Sequence, residues 1–208
     1  MNQTRKTLHS LMLMLGPLST AQAVPAPSAS AIHPTTWTVE APTPKSTLIS
    51  ARIDGIAAHA DETSIAFLHV ACYRSPLRPI ISLYTHTDEL RFNPNIYEGP
   101  DARSTGPLSL TTGAMPTHTY RVNGYYSAEP TQQHGVLFKF TMPANRQELR
   151  EWISDDMGGK IIKIKLPSAI PGDAPLTADF VLPHRNSGLR EVITPCLNNR
   201  KTTPKKPS

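Results

Sequence analysis

The sequence predicts a mainly β, α+β fold. The reading is an antiparallel, sandwich-like β domain with one helix over about 145–157 and a short C-terminal helix over about 187–195. Three observations carry it. Proline is abundant, at 21 of 208 residues, and proline interrupts helices and central strands alike. The apolar runs are short and end in polar or turn-forming residues. Helical spacing is confined to two stretches of the last third.

Residues 1–23 read as a cleavable signal peptide. Arg5 and Lys6 form a basic start, Leu8 to Leu18 an apolar core, and Ala21-Gln22-Ala23 a small-x-small cleavage site. The core is too short for a permanent membrane anchor, and no cysteine follows it to carry a lipid. The alternative is a buried N-terminal helix. With cleavage near Ala23, the mature protein starts at Val24 and is periplasmic or secreted. Residues 24–36 form a flexible Pro/Ala/Ser leader. Residues 37–197 form a single β-rich domain, and 198–208 a disordered basic tail.

The formal charge of +5 is misleading. Six of the 21 Lys and Arg lie in the signal peptide and tail: Arg5, Lys6, Arg200, Lys201, Lys205 and Lys206. Between residues 24 and 199, fifteen cations face sixteen Asp and Glu, for a net charge of −1. A near-neutral body lacks the basic footprint of a nucleic-acid binder, so no nucleic-acid partner is expected.

Within the domain, Trp37-Thr38-Val39 begins the first strand. Thr47 to Ile53 is a second, ended by a turn at Asp54-Gly55. Ile65 to Cys72 is apolar on both faces and should be central. Pro79 to Tyr84 returns as its antiparallel partner. Residues 88–117 are turn-rich, with a short strand near Leu108 to Leu110. Thr119 to Val122 reads as a strand leading into Asn123-Gly124, the strongest hairpin signal in the chain. Gly135 to Met142 alternates, with Val136, Phe138, Phe140 and Met142 on one face.

The last third is the best patterned. Asn145 and Glu148 form a capping box, Leu149, Trp152 and Ile153 an apolar stripe, and Gly158-Gly159 a stop. Lys160 to Leu166 alternates, with Lys163 and Lys165 outward. Thr177 to Leu182 is the last strand. Asn186 or Ser187 caps the second helix, and Pro195 limits it, which places Cys196 just past its last turn. Export implies an oxidising compartment, where the only two cysteines, Cys72 and Cys196, are expected to pair. The alternative is two buried thiols.

A strand ending at Cys72, then Tyr120-Arg121-Val122-Asn123-Gly124, the helix around Gln147 to Ile153, Ala178-Asp179-Phe180, and a closing helix that reaches Cys196 come in a recognisable order. Over residues 65–196 this order resembles the VasI/TagO-like periplasmic proteins associated with type VI secretion. Ala71 and Asn123 depart from that pattern, which has Arg and Asp there. The resemblance implies an exported accessory or binding protein without known catalysis.

Chemical motifs are sparse. There is no phosphate loop, no H-E-x-x-H and no G-x-S-x-G. His86-Thr87-Asp88 falls short of a zinc ligand set, so neither metal nor cofactor is expected. Asp155-Asp156 reads as a solvated helix end. His59, His118, His134 and His184 are isolated in the chain, although a triad assembled in space is recognised by geometry and not by spacing. Tyr120, Arg121, Tyr125 and Tyr126 are the candidate partner-binding residues, because tyrosine and arginine are enriched at binding hot spots. The leading reading is thus a non-enzymatic exported accessory protein with a protein partner. An inhibitor or immunity protein that binds a toxin or hydrolase is the second reading, and an unrecognised hydrolase the third.

Overall fold

In the computed structural model, the described residues are 36–40, 48–74, 76–99, 107–128 and 135–198. The expected signal peptide (1–23), residues 24–35 of the expected leader and residues 199–208 of the expected tail lie outside them.

Ten antiparallel strands and two α-helices are present among the described residues, so the chain is mainly β with a few helices. The strands are β1 (Thr38–Glu40), β2 (Leu48–His59), β3 (Glu62–Arg74), β4 (Leu77–Thr85), β5 (Pro107–Thr112), β6 (His118–Arg121), β7 (Asn123–Ala128), β8 (Val136–Pro143), β9 (Ile161–Leu166) and β10 (Leu176–Val181). The helices are α1 (Arg146–Trp152) and α2 (Ser187–Asn198). All strands belong to one sheet in the order β6-β5-β9-β10-β2-β3-β4-β8-β7, with β1 also paired to β2.

That order forces the sheet to curl. β6 and β7 are its two opposite edges, yet only Val122 separates them in the chain. The edges must therefore meet near Val122, and the expected sandwich is one sheet rolled into a nearly closed barrel.

This closure overturns the Asn123-Gly124 hairpin. β6 and β7 do not pair with each other: Asn123 opposite Thr141 and Gly124 opposite Phe140 open strand β7 against β8. Gly124 is there for space, because a Cβ would overlap the Phe138 ring and lie 2.8 Å from the Lys139 carbonyl oxygen. The turn expected at Asp54-Gly55 is likewise absent. β2 runs straight through it to His59, and a Cβ on Gly55 would overlap Phe180 and the Asp179 carbonyl. Here β2 passes from pairing with β1 at Ser50–Arg52 to pairing with β10 at Ile56–Ala58. In both cases ring packing outweighs the turn preference of a Gly pair.

β3 is central, paired to β2 and β4, as its two apolar faces require. Ala66, Leu68, Val70 and Cys72 face the main core, while Phe67 joins Tyr84 and Leu137 in a small cluster on the outer face. On β8, Phe138, Phe140 and Met142 are buried, but Val136 at the strand start is 61% exposed. β9 alternates exposed and buried as read, with Ile162, Ile164 and Leu166 inward.

Both helices lay their apolar residues into the main core, α1 through Leu149 and Trp152, α2 through Leu189, Val192, Ile193 and Cys196. Each such fully buried side chain contributes about 1.5–3 kcal/mol of transfer free energy. α1 is shorter than expected. It ends at Trp152, and a separate 3-10 turn occupies Asp155–Met157. α2 is longer and carries Pro195 inside it. Proline removes one helical bond, but Cys196 and Leu197 beyond it are buried, and Cys196 is bonded to Cys72. Packing and the cross-link hold the last turn. The Cys72–Cys196 disulfide joins positions 124 apart and ties α2 to the central strand. Among the described residues no helix is long and apolar enough to cross a membrane.

Candidate functional site

Glu148 is the most deeply buried carboxylate among the described residues, 1% exposed, at the start of α1. The capping box is only half made. Asn145 accepts from the Gln147 N–H at 2.9 Å, but Glu148 turns to β6 instead of back to Asn145. Its Oε2 accepts from the Tyr120 hydroxyl and its Oε1 lies 3.4 Å from His118 Nδ1. The Tyr120 oxygen in turn accepts from the Asn145 backbone N–H, so a tyrosine is inserted into the box. Burial raises the Glu148 pKa above the usual carboxylate range, against the opposing bonds from Tyr120 and His118 and the His118 charge. Burial, then the bond to Glu148, raises the Tyr120 phenol as well. The cluster fixes α1 to edge strand β6.

A buried histidine is also committed. His59 Nδ1 lies 2.8 Å from the Leu90 carbonyl oxygen, and its Nε2 lies 3.2 Å from Asp173 Oδ2. Ser168 Oγ donates to the same carboxylate oxygen at 2.7 Å. Serine, histidine and aspartate are thus close, but the hydroxyl bonds the carboxylate and not the ring. A nucleophilic serine needs its base as hydrogen-bond partner. Among the described residues no serine hydroxyl is bonded to histidine. The Asp173 carboxyl is held below the usual range, first by Ser168, then by His59 and the Ala174 N–H. The arrangement clamps the 167–175 loop to the end of β2.

Of the other candidates, Asp155 pairs with Arg190 at 3.2 Å, His86 faces Glu89 at 3.9 Å, and His184 packs against Gly158. His134 lies outside the described residues. No group of three or more His, Cys, Asp or Glu gathers among the described residues.

The outer face of β2, β3, β4 and β8 carries His69, 7% exposed, with Tyr84 at 4.5 Å between ring centroids. Burial, then the charges of Arg52 and Lys139, push its pKa down from 6.5 to about 3. The imidazole is therefore neutral, and the 3.8 Å approach of Glu40 is not an ion pair. Between pH 6.5 and about 3, the unfolded chain binds a proton at this position that the folded chain does not. Stability is full above pH 6.5 and falls as pH falls through that window. Urea unfolding of His69→Gln should show a flatter acid limb than the unmodified protein. Equal slopes would refute this.

The four predicted binding residues do not form one patch. Tyr120 is buried on Glu148. Tyr126, 43% exposed, stands edge-on to core residue Phe138 at 5.0 Å. Arg121 and Tyr125 share the outer face with Asn123. Tyr125 there lies 5.6 Å from the Lys139 ammonium, which also sits 4.9 Å over Tyr84. The structure adds Arg78, Thr141 and Ile80. With Arg121, Asn123, Met142 and Pro143 they line a cleft of about 310 Å3 where β4, β8 and the β6–β7 crossover meet. Arg78 and Arg121 are 43 positions apart, and nothing in the sequence connects them. Lys163 and Lys165 line a second cleft of about 420 Å3, with Asp179 and the hydroxyls of Ser109, Thr111, Thr117 and Thr177.

Fold and surface together define a disulfide-linked β domain, one nearly closed sheet with two helices packed against its core and a basic cleft on its outer face. No protein-family model, no curated protein and no solved structure matches the chain.

Proposed function

We propose that this protein is an exported, non-enzymatic binding domain that serves as an accessory to type VI secretion. The observation that carries the binding reading is the cleft of Arg78 and Arg121. Arg52, Arg91 and Arg190 each face a carboxylate. Among the described residues, Arg78 and Arg121 have neither a hydrogen-bond nor an ion-pair partner, and they line the same concavity. The Cys72–Cys196 bond supports an oxidising compartment, and the resemblance over residues 65–196 supports the secretion role. The hydrogen bonds of Glu148 to Tyr120 and of His59 to Leu90 and Asp173 tie elements of the fold together, which supports a structural role for both clusters.

The test is the intact mass of the protein from a periplasmic extract, with and without reduction and alkylation, followed by affinity capture under oxidising conditions. The expected result is a chain starting at Val24 with thiols blocked until reduction, bound to a component of the secretion machinery. An uncleaved cytosolic chain with free thiols would overturn export. One-to-one capture of a periplasmic toxin or hydrolase would replace the accessory role with inhibition.

A further inference from the structure

We propose that the Arg78–Arg121 cleft seats a carboxylate presented by a protein partner, with an apolar side chain beside it. This rests on the binding reading and names the chemistry the cleft recognises. The register places the two arginines. Ile80 opposes Pro143, and Asn123 opposes Thr141. Arg78 of β4 lies two residues before Ile80, and Arg121, the last residue of β6, lies two before Asn123 of β7, and both line the cleft at the end of β8. A guanidinium presents a planar fork that matches a carboxylate through two parallel hydrogen bonds. Asn123, Thr141, Ile80 and Pro143 line the same cleft, with the Thr141 hydroxyl 3.3 Å from that of Ser82.

The cleft suits a carboxylate better than a free phosphate. Phosphate sites usually supply a cradle of backbone N–H groups. Here Ile80 and Thr141 lie in strands paired on both sides, and Pro143 has no N–H to give. The two guanidiniums supply the charge that holds the anion, and Ile80 and Pro143 beside them match the methylenes of an acidic side chain and an aliphatic neighbour.

The test is an amide and arginine Nε–H chemical-shift titration of the oxidised full chain. The probes are an acetylated, amidated Gly-Leu-Glu-Leu-Gly peptide, its Gln counterpart with both ends blocked, the Gln peptide with a free C-terminal carboxylate, and inorganic phosphate. The expected result is saturable shifts at Asn123, Thr141, Arg78 and Arg121 with the Glu peptide, at a dissociation constant of about 1 mM or tighter. Arg78→Gln and Arg121→Gln, both at exposed positions, should each weaken it at least about tenfold. Binding of the free-carboxylate peptide would assign the partner's chain end as the source, and its silence an internal acidic side chain. Equal response to the blocked Glu and Gln peptides, an equal response to phosphate, or no shift with the Glu peptide would overturn the proposal. Partner capture that survives replacement of both arginines would remove this cleft from the interface and leave the binding role standing.

Discussion

Replacing Cys72 and Cys196 by alanine together is expected to cost about 3–5 kcal/mol. The bond closes a loop spanning a sequence separation of 124. In the chain-entropy model a loop of that length contributes about 5 kcal/mol, and delivered values are often smaller. The loss should concentrate at the end of α2. Pro195 already removes a helical bond there, and the bond to Cys72 ties Cys196, next to the buried Leu197, to β3. Urea unfolding of the oxidised protein and the double variant measures the cost. Hydrogen exchange at residues 196–198 locates it. Equal midpoints would mean that packing alone holds the last turn.

The second large effect is expected at Glu148. Glu148→Ala removes the acceptor of the Tyr120 hydroxyl and the partner of His118. Leaving buried polar groups unsatisfied costs about 1–3 kcal/mol each, so the variant should lose about 3 kcal/mol. Glu148→Gln keeps the acceptor and the shape without the charge, and should stay within about 1 kcal/mol of the unmodified protein at neutral pH. The pH dependence has a definite sign. Burial raises the Glu148 pKa from 4.5 in the folded state. The folded chain therefore holds a proton that the unfolded chain releases. Stability from this group is full below pH 4.5 and is lost as pH rises through the raised value. The slope is opposite to that from His69, so Glu148→Gln should flatten the alkaline side of the window and His69→Gln the acid side. A Gln variant as unstable as the Ala variant would show that the charge itself is required.

The reach of sequence reasoning here follows from the range of each signal. Strand periodicity is local, and it placed β3, β8 and β9 within a few residues. The capped start of α1 was legible in Asn145, because a cap acts on its own first turn. The partner of Glu148 was not. The capping box is a contact within one turn, but Tyr120 from a distant strand took Glu148's reach-back position. The helix limit at Pro195 failed for a related reason: buried contacts on both sides of the proline and the bond to Cys72 outweigh one missing hydrogen bond.

The sequence by itself determined the class: short alternating strands, two helices near the end, and a cysteine at the end of the central strand and another in the final helix. Tertiary structure alone decided how these elements close. Asn123-Gly124 and Asp54-Gly55 have the composition of turns, yet both lie inside strands because Phe138 and Phe180 need the space a side chain would fill. The meeting of the sheet edges at Val122 also carries Arg121 from β6 to the cleft it shares with Arg78 of β4. That juxtaposition depends on the curl of the whole sheet, a sum over every strand pair, and no local pattern records it.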